Sequence, residues 1–221
     1  ACGGHAGDAK SMAETVALCQ RHGVAVGAHP SYEDRTDFGR RELDVGLHEI
    51  HASVTRQLVA LQSVCLALGA RMQHVKPHGA LYNVAARDES VANAIAAAVH
   101  AFDPSLILFG LSGSALTKAG TTFGLRVAHE VFAERAYDGN GRLAPRGTPG
   151  AVLEGLGDSL AQVRMLLRDG VVIARDGSRL SLRADTLCLH GDRPDAVAFA
   201  RALRDTLQEE GVQVRAPGAT S

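Results

Sequence analysis

Lys76 and His78 flank Pro77 in the stretch Gln73-His-Val-Lys-Pro-His-Gly-Ala-Leu-Tyr82. A cation and an imidazole that close together can hold an anionic group, relay a proton or stabilise an oxyanion. Other residues of the same chemistry recur where apolar runs stop: His5, His29, His190 and Asp192, with Glu130 and Arg135 near the end of another run and Arg41 in a polar loop. Three chemistries fit the set. Imidazoles and carboxylates could bind a divalent metal that activates water, with His5 and His29 as candidate ligands. A His or Asp could act as general base while Lys76 or Arg135 stabilises an oxyanion. The cations could instead only hold a substrate carboxylate or phosphate. No HExxH metal signature and no GxSxG elbow is present, which disfavours a local metal motif and a covalent serine.

These residues converge only if the chain is built to place strand ends together. Met72–Val75 reads as a short buried strand stopped by Pro77, which fixes φ and lacks an N–H. Val24 to His29 reads as a second strand, stopped by Pro30. Further strands are expected over Ser105–Gly110, Leu125–Ala133 and Thr186–Asp192. Between them lie helices: Ala9–His22, capped by Asp8; Leu47–Leu68, with apolar residues at a 3.6-residue period; Asp88–Ala101; Gly113–Gly120; Asp158–Arg168; and a last helix from Pro194 to about Glu210. Val171–Leu182 reads as a hairpin around Asp176-Gly177. Ser31–Leu43 and Tyr137–Gly150 are loops, the first long enough to serve as a lid or binding loop. Alternation of strand and helix argues for parallel strands in one α/β domain over residues 1–221, a barrel in preference to a doubly wound sheet, with a flexible tail from about Gln213. In a closed parallel barrel the strand ends share one face, where sites are built. The other histidines, His22, His48, His51, His74, His100 and His129, fall on helices or point away by the period of two, and read as structural.

Composition narrows the field. A net charge of -1 gives no electrostatic case for nucleic acid or an anionic membrane, and 4% aromatics with no Trp argue against base stacking. No apolar run approaches a membrane span. The four cysteines form no CxxC pair. That suits buried, reduced thiols and a cytoplasmic setting. The first residue is Ala1, and the chain opens in the middle of a motif.

Six stretches carry a family resemblance: Ala1-Cys-Gly-Gly-His-Ala-Gly-Asp8, Val26-Gly-Ala-His-Pro-Ser-Tyr32, Phe38-Gly-Arg-Arg41, Gln73 to Asn83, Glu130-Val-Phe-Ala-Glu-Arg-Ala-Tyr137 and Leu189-His-Gly-Asp192. Together they resemble the LamB/YcsF family, the A subunits of bacterial 5-oxoprolinase, collinearly from Ala1 to about Gly211. The resemblance implies a seven-stranded (β/α) barrel variant of the glycoside hydrolase/deacetylase type. It implies ATP-dependent opening of 5-oxo-L-proline to L-glutamate in company with B and C subunits, and leaves a homo-oligomer open. Two features depart from the family. An opening strand with Asp-Leu-Asn-x-Asp-x-Gly-Glu is absent from this chain, and the position of Gly4 is usually aromatic. Carried onto this chain, water activation falls to His29, His78 or Asp192. Lys76 joins them in the catalytic set, and His5, Arg41, Glu130, Arg135 and His190 are left to bind substrate. The alternative readings are a metal-dependent deacetylase or amidohydrolase, and a non-catalytic subunit that binds a small carboxylate.

Overall fold

The computed structural model describes residues 1–192 and 194–217. The chain divides into two compact units, Ala1–Ala128 and His129–Ser221. The first unit holds α1 (Ala9–Arg21), β1 (Val26–Ala28), α2 (Leu47–Ala67), β2 (Met72–Val75), α3 (Gly79–Ala85), α4 (Glu89–Phe102), β3 (Ile107–Leu111) and α5 (Ala115–Thr122). The division falls within β4 (Arg126–Phe132), and the second unit continues with α6 (Leu156–Asp169), β5 (Val171–Ile173), β6 (Arg179–Ser181), β7 (Thr186–Cys188) and α7 (Ala196–Glu209).

In the first unit β1, β2 and β3 pair in parallel, with Ala28 opposite Val75 and Val75 opposite Leu108. All five residues of β3 are buried, as expected of a parallel strand covered on both faces. Helix α2 lays Ile50, Val54, Leu58, Leu61 and Cys65 into the core beside Val75, Leu81, Ile95 and Leu108. Burying one such side chain is worth about 1.5–3 kcal/mol. Asp8 caps α1 through a reciprocal box with Ser11, whose N–H donates to Asp8 Oδ1 at 2.8 Å. Asp88 caps α4 on the N–H groups of Ser90 and Val91. In the second unit β4 and β7 pair in parallel, and β5 and β6 form a separate antiparallel ribbon.

The α/β class is thus found, with parallel strands linked through helices. Seven parallel strands are not found among the described residues: five carry parallel pairings, and the other two make the ribbon. Two local expectations also change. The run after Pro77 is not a turn alone, because Gly79 opens α3. The last strand stops at Cys188, short of His190 and Asp192. Of the expected flexible tail, residues 213–216 lack regular structure and 218–221 lie outside the described residues.

Candidate active site: a histidine cluster

The parallel ladder continues past the strands. Lys76 N–H donates to the carbonyl of Ala28 at 2.9 Å, and His78 N–H to that of Pro30 at 2.8 Å. His29 and the Lys76-Pro77-His78 turn are therefore held side by side by backbone alone. Loop 31–43 closes over them. The N–H of Ala80 donates to Gly39 O at 2.9 Å, and a Cβ on Gly79 (φ +56°) would stand 2.4 Å from that same oxygen, so only glycine fits. Phe38 takes the left-handed conformation, φ 54°, which is costly for an aromatic residue. Its carbonyl accepts a hydrogen bond from His78 Nε2 at 2.9 Å.

Three of the expected residues meet here. The His5 and His78 rings stack in parallel, centroids 3.7 Å apart, and His29 meets both edge-on at 5.7 and 4.8 Å. The proton positions follow from the partners. Lys76 O accepts from His29 Nδ1 at 2.6 Å, and Phe38 O accepts from His78 Nε2. A neutral imidazole has one donor and one acceptor. The remaining nitrogens, His29 Nε2 and His78 Nδ1, face each other at 2.9 Å. Two lone pairs would repel at that distance, so the contact holds one extra proton and the pair is a monocation. At the other ring, Ser31 Oγ donates to Tyr32 O and so accepts from His5 Nδ1 at 2.9 Å. His5 Nε2 keeps its lone pair. Gln57 on α2 fixes Ser31 by bonding both its N–H and its C=O, at 3.0 and 2.8 Å.

Burial pulls the His29 imidazolium down to about 2, helped by the charges of Lys76 and His78. Burial first, then His78, takes His5 to about 3, with Arg40 and Arg35 adding to it. Both rings are bases that stay neutral at pH 7. Arg35 ties the opening turn to the loop through the carbonyls of Gly3 and Gly7. Arg40, with its guanidinium carbon 5.1 Å from the Phe38 ring centre, is the other arginine that acts on His5. Arg41 turns outward to Asp37, 3.1 Å away. His74 packs over Gly27 and stacks on Phe109 at 4.4 Å. Gly4 abuts Ser31 and Gln57, where a Cβ would lie 2.6 and 2.5 Å from their side-chain oxygens.

Glu130, Arg135, His190 and Asp192 lie in the second unit. Glu134, 3% exposed, accepts from His190 Nδ1, while Arg146 donates to His190 Nε2 at 3.2 Å. That pattern fixes the His190 tautomer. Arg135 is turned inward, its guanidinium bonded to the carbonyls of Ala144 and Ala151, so it holds loop 144–151. Glu130 is buried in β4, level with Thr186, and Asp192 is exposed. Sequence reasoning missed Glu134, although the period of two puts it on the face of Glu130. It missed Ser31, Gln57 and Phe38, which carry no charge to draw attention.

His29 and His78 as they stand leave no nitrogen free for a divalent metal. Both nitrogens of His29 and of His78 are engaged in hydrogen bonds, and among the described residues no group of three or more His, Cys, Asp or Glu side chains is arranged to hold a metal ion. His29 as placed offers a metal ion no free nitrogen, while His5 keeps the lone pair of Nε2.

The family model described as LamB/YcsF family matches residues 1–221. The chain belongs to the LamB/YcsF family. It is 50% identical over 217 residues to the 5-oxoprolinase A subunit of Geobacillus kaustophilus (strain HTA426), covering 98% of this chain and 85% of that protein. It is 53% identical over 217 residues to the protein of the same name from Chloroflexus aggregans (strain MD-66 / DSM 9485), covering 98% and 86%. Its fold matches the crystal structure of the lactam utilization protein from Thermus thermophilus with a TM-score of 0.90 and 45% identity, over 97% of this chain and 86% of that one. Among the described residues no helix is long and apolar enough to cross a membrane.

Proposed function

We propose that this LamB/YcsF family member is the A subunit of a 5-oxoprolinase, opening 5-oxo-L-proline to L-glutamate in the cytoplasm, with ATP and with B and C subunits. The observation that carries the reading is identity of about one half, over nearly the whole chain, to proteins named as the A subunit of 5-oxoprolinase. The histidine cluster is the site we assign to the chemistry.

Ring opening requires water oxygen to bond to the lactam carbonyl carbon, the C–N bond to break, and the ring nitrogen to gain a proton. The lactam is resonance-stabilised, and ATP supplies its activation through the complex. His5 Nε2, held in the correct tautomer by Ser31, is the nitrogen available to exchange a proton at the reacting centre. Lys76 and the His29–His78 monocation suit the substrate carboxylate or a phosphorylated lactam oxygen. Within the second unit, Glu134 orients His190 and fixes its tautomer.

The test is glutamate release from 5-oxo-L-proline by the chain alone and with its partner subunits, each with and without ATP. Release only with partners and ATP supports the reading. Rapid ATP-independent release by the isolated chain contradicts it.

A further inference from the structure

His5 is 4% exposed, and its Nε2 has no hydrogen-bond partner among the described residues. The charges around it are of one sign. The His29–His78 pair carries a proton, Lys76 follows β2, and Arg35 and Arg40 come from the loop. Of the loop's carboxylates, Glu33 goes to Arg56 and Ser53, Asp37 to Arg41, Glu42 to Arg87 and Asp34 Oδ1 to the N–H of Asp37; Asp34 Oδ2 is buried without a hydrogen-bond partner, and no carboxylate is among the charges that act on His5. Gln57, on α2, contributes no charge. An acceptor ringed by cations keeps its lone pair, because each of these charges opposes its protonation and no protein donor among the described residues reaches it.

We propose that the cluster is an anion site loaded with a proton: an oxyanion binds against His5 Nε2 as that nitrogen takes up one proton from solvent. The anion offsets these positive charges, and the new N–H forms a charge-assisted bond to it, of the stronger kind. Ser31 keeps Nδ1–H, so the second proton can go only to Nε2. The ligand class is a carboxylate or a phosphate-like oxyanion. The link to 5-oxoprolinase rests on the function proposed above. The proton uptake does not, since it can be read on the isolated chain without turnover.

The experiment is calorimetric titration of the 221-residue chain with sodium sulfate and with sodium acetate at pH 7.5, in two buffers of different ionisation enthalpy. Neither anion titrates in this range. Sulfate stands for a phosphoryl group and acetate for a carboxylate. We expect uptake approaching one proton per bound anion, and His5→Phe, which keeps a flat ring on His78, should remove the uptake and weaken binding about tenfold or more. Tighter binding of one salt identifies which source the site prefers. A second measurement needs no variant: the 15N resonance of His5 Nε2 should move from the unprotonated to the protonated position on adding the tighter-binding salt. Anion binding with no net proton uptake, uptake unchanged in His5→Phe, no binding of either salt, or an unmoved resonance at saturation would each overturn the proposal.

Discussion

The imidazoles of His5 and His78 lie face to face, 3.7 Å apart and 5° from parallel, although 72 residues of chain lie between them. The stack joins the opening glycine turn to the turn after β2, and it leaves His5 with its one free nitrogen. His5→Ala should lower kcat/KM of the reconstituted complex by about 10²-fold or more, the scale of a lost general acid–base group. Ser31→Ala keeps the ring but releases its tautomer, and the loss should be smaller, about tenfold. Steady-state glutamate release on both variants checks the order; equal losses would mean that Ser31 does more than orient the ring.

Lys76 is held by its own backbone, its N–H on Ala28 and its C=O on His29. Its ammonium is expected to meet an anionic group of the substrate. Removing one partner of such a pair costs about 2–5 kcal/mol, so Lys76→Ala should lower kcat/KM at least about thirtyfold. Lys76→Arg should restore it only in part, since a planar fork replaces a compact charge. Melting temperature should barely change in either variant. Near-normal turnover in Lys76→Ala would reduce the residue to a surface cation.

Acid should destabilise the first unit through its histidines. In the folded chain His74 is lowered to about 4, His5 to about 3 and His29 to about 2, mainly by burial. The unfolded chain binds protons near the ordinary value of about 6.5. Above that pH neither state is favoured by these groups. Below it the unfolded state binds more protons, and stability falls until the folded values are reached. The slope is about 1.4 kcal/mol per pH unit for each proton taken up. Urea unfolding of wild type and His5→Phe at pH 7.5, 6 and 5 should show the variant losing less stability on acidification. Identical slopes would refute the depressed His5.

Gly79→Ala combines a left-handed φ of +56° with a Cβ placed 2.4 Å from Gly39 O. It should cost about 1–3 kcal/mol for the backbone alone, and it should loosen the loop that covers His78. A lowered melting temperature together with reduced turnover is the expected pair. An unchanged melting temperature would show that the Gly39–Gly79 approach is not tight.

Much of this was legible in the sequence because strand breaks are written in proline and glycine. Pro30 and Pro77 mark where β1 and β2 stop, and that alone puts His29 beside Lys76 and His78. The period of apolar residues along Leu47–Leu68 gave α2 to within a residue at its end. The resemblance supplied the family that the comparisons found. Other features were hidden because they depend on tertiary neighbours. Arg40 and Arg41 are adjacent and alike, and only the fold decides that Arg40 faces Phe38 while Arg41 faces Asp37. Arg135 reads as a ligand for an anion but is turned inward onto two carbonyls. Ser31 and Gln57 are ordinary polar residues until the His5 ring is set between them and His78. The antiparallel β5–β6 ribbon was visible as a hairpin, yet its separation from the parallel strands was not.

The central claim is that the histidine cluster of the first unit carries out ring opening. The most direct measurement is glutamate release by the complete complex containing His29→Ala, beside the wild type, with binding of the partner subunits checked for both. The variant loses the proton shared with His78 while the backbone ladder stays intact. The account predicts that assembly is kept and glutamate release falls by about 10²-fold or more. Assembly kept with glutamate release within about twofold of wild type, less than about half a kcal/mol in the barrier, would contradict it.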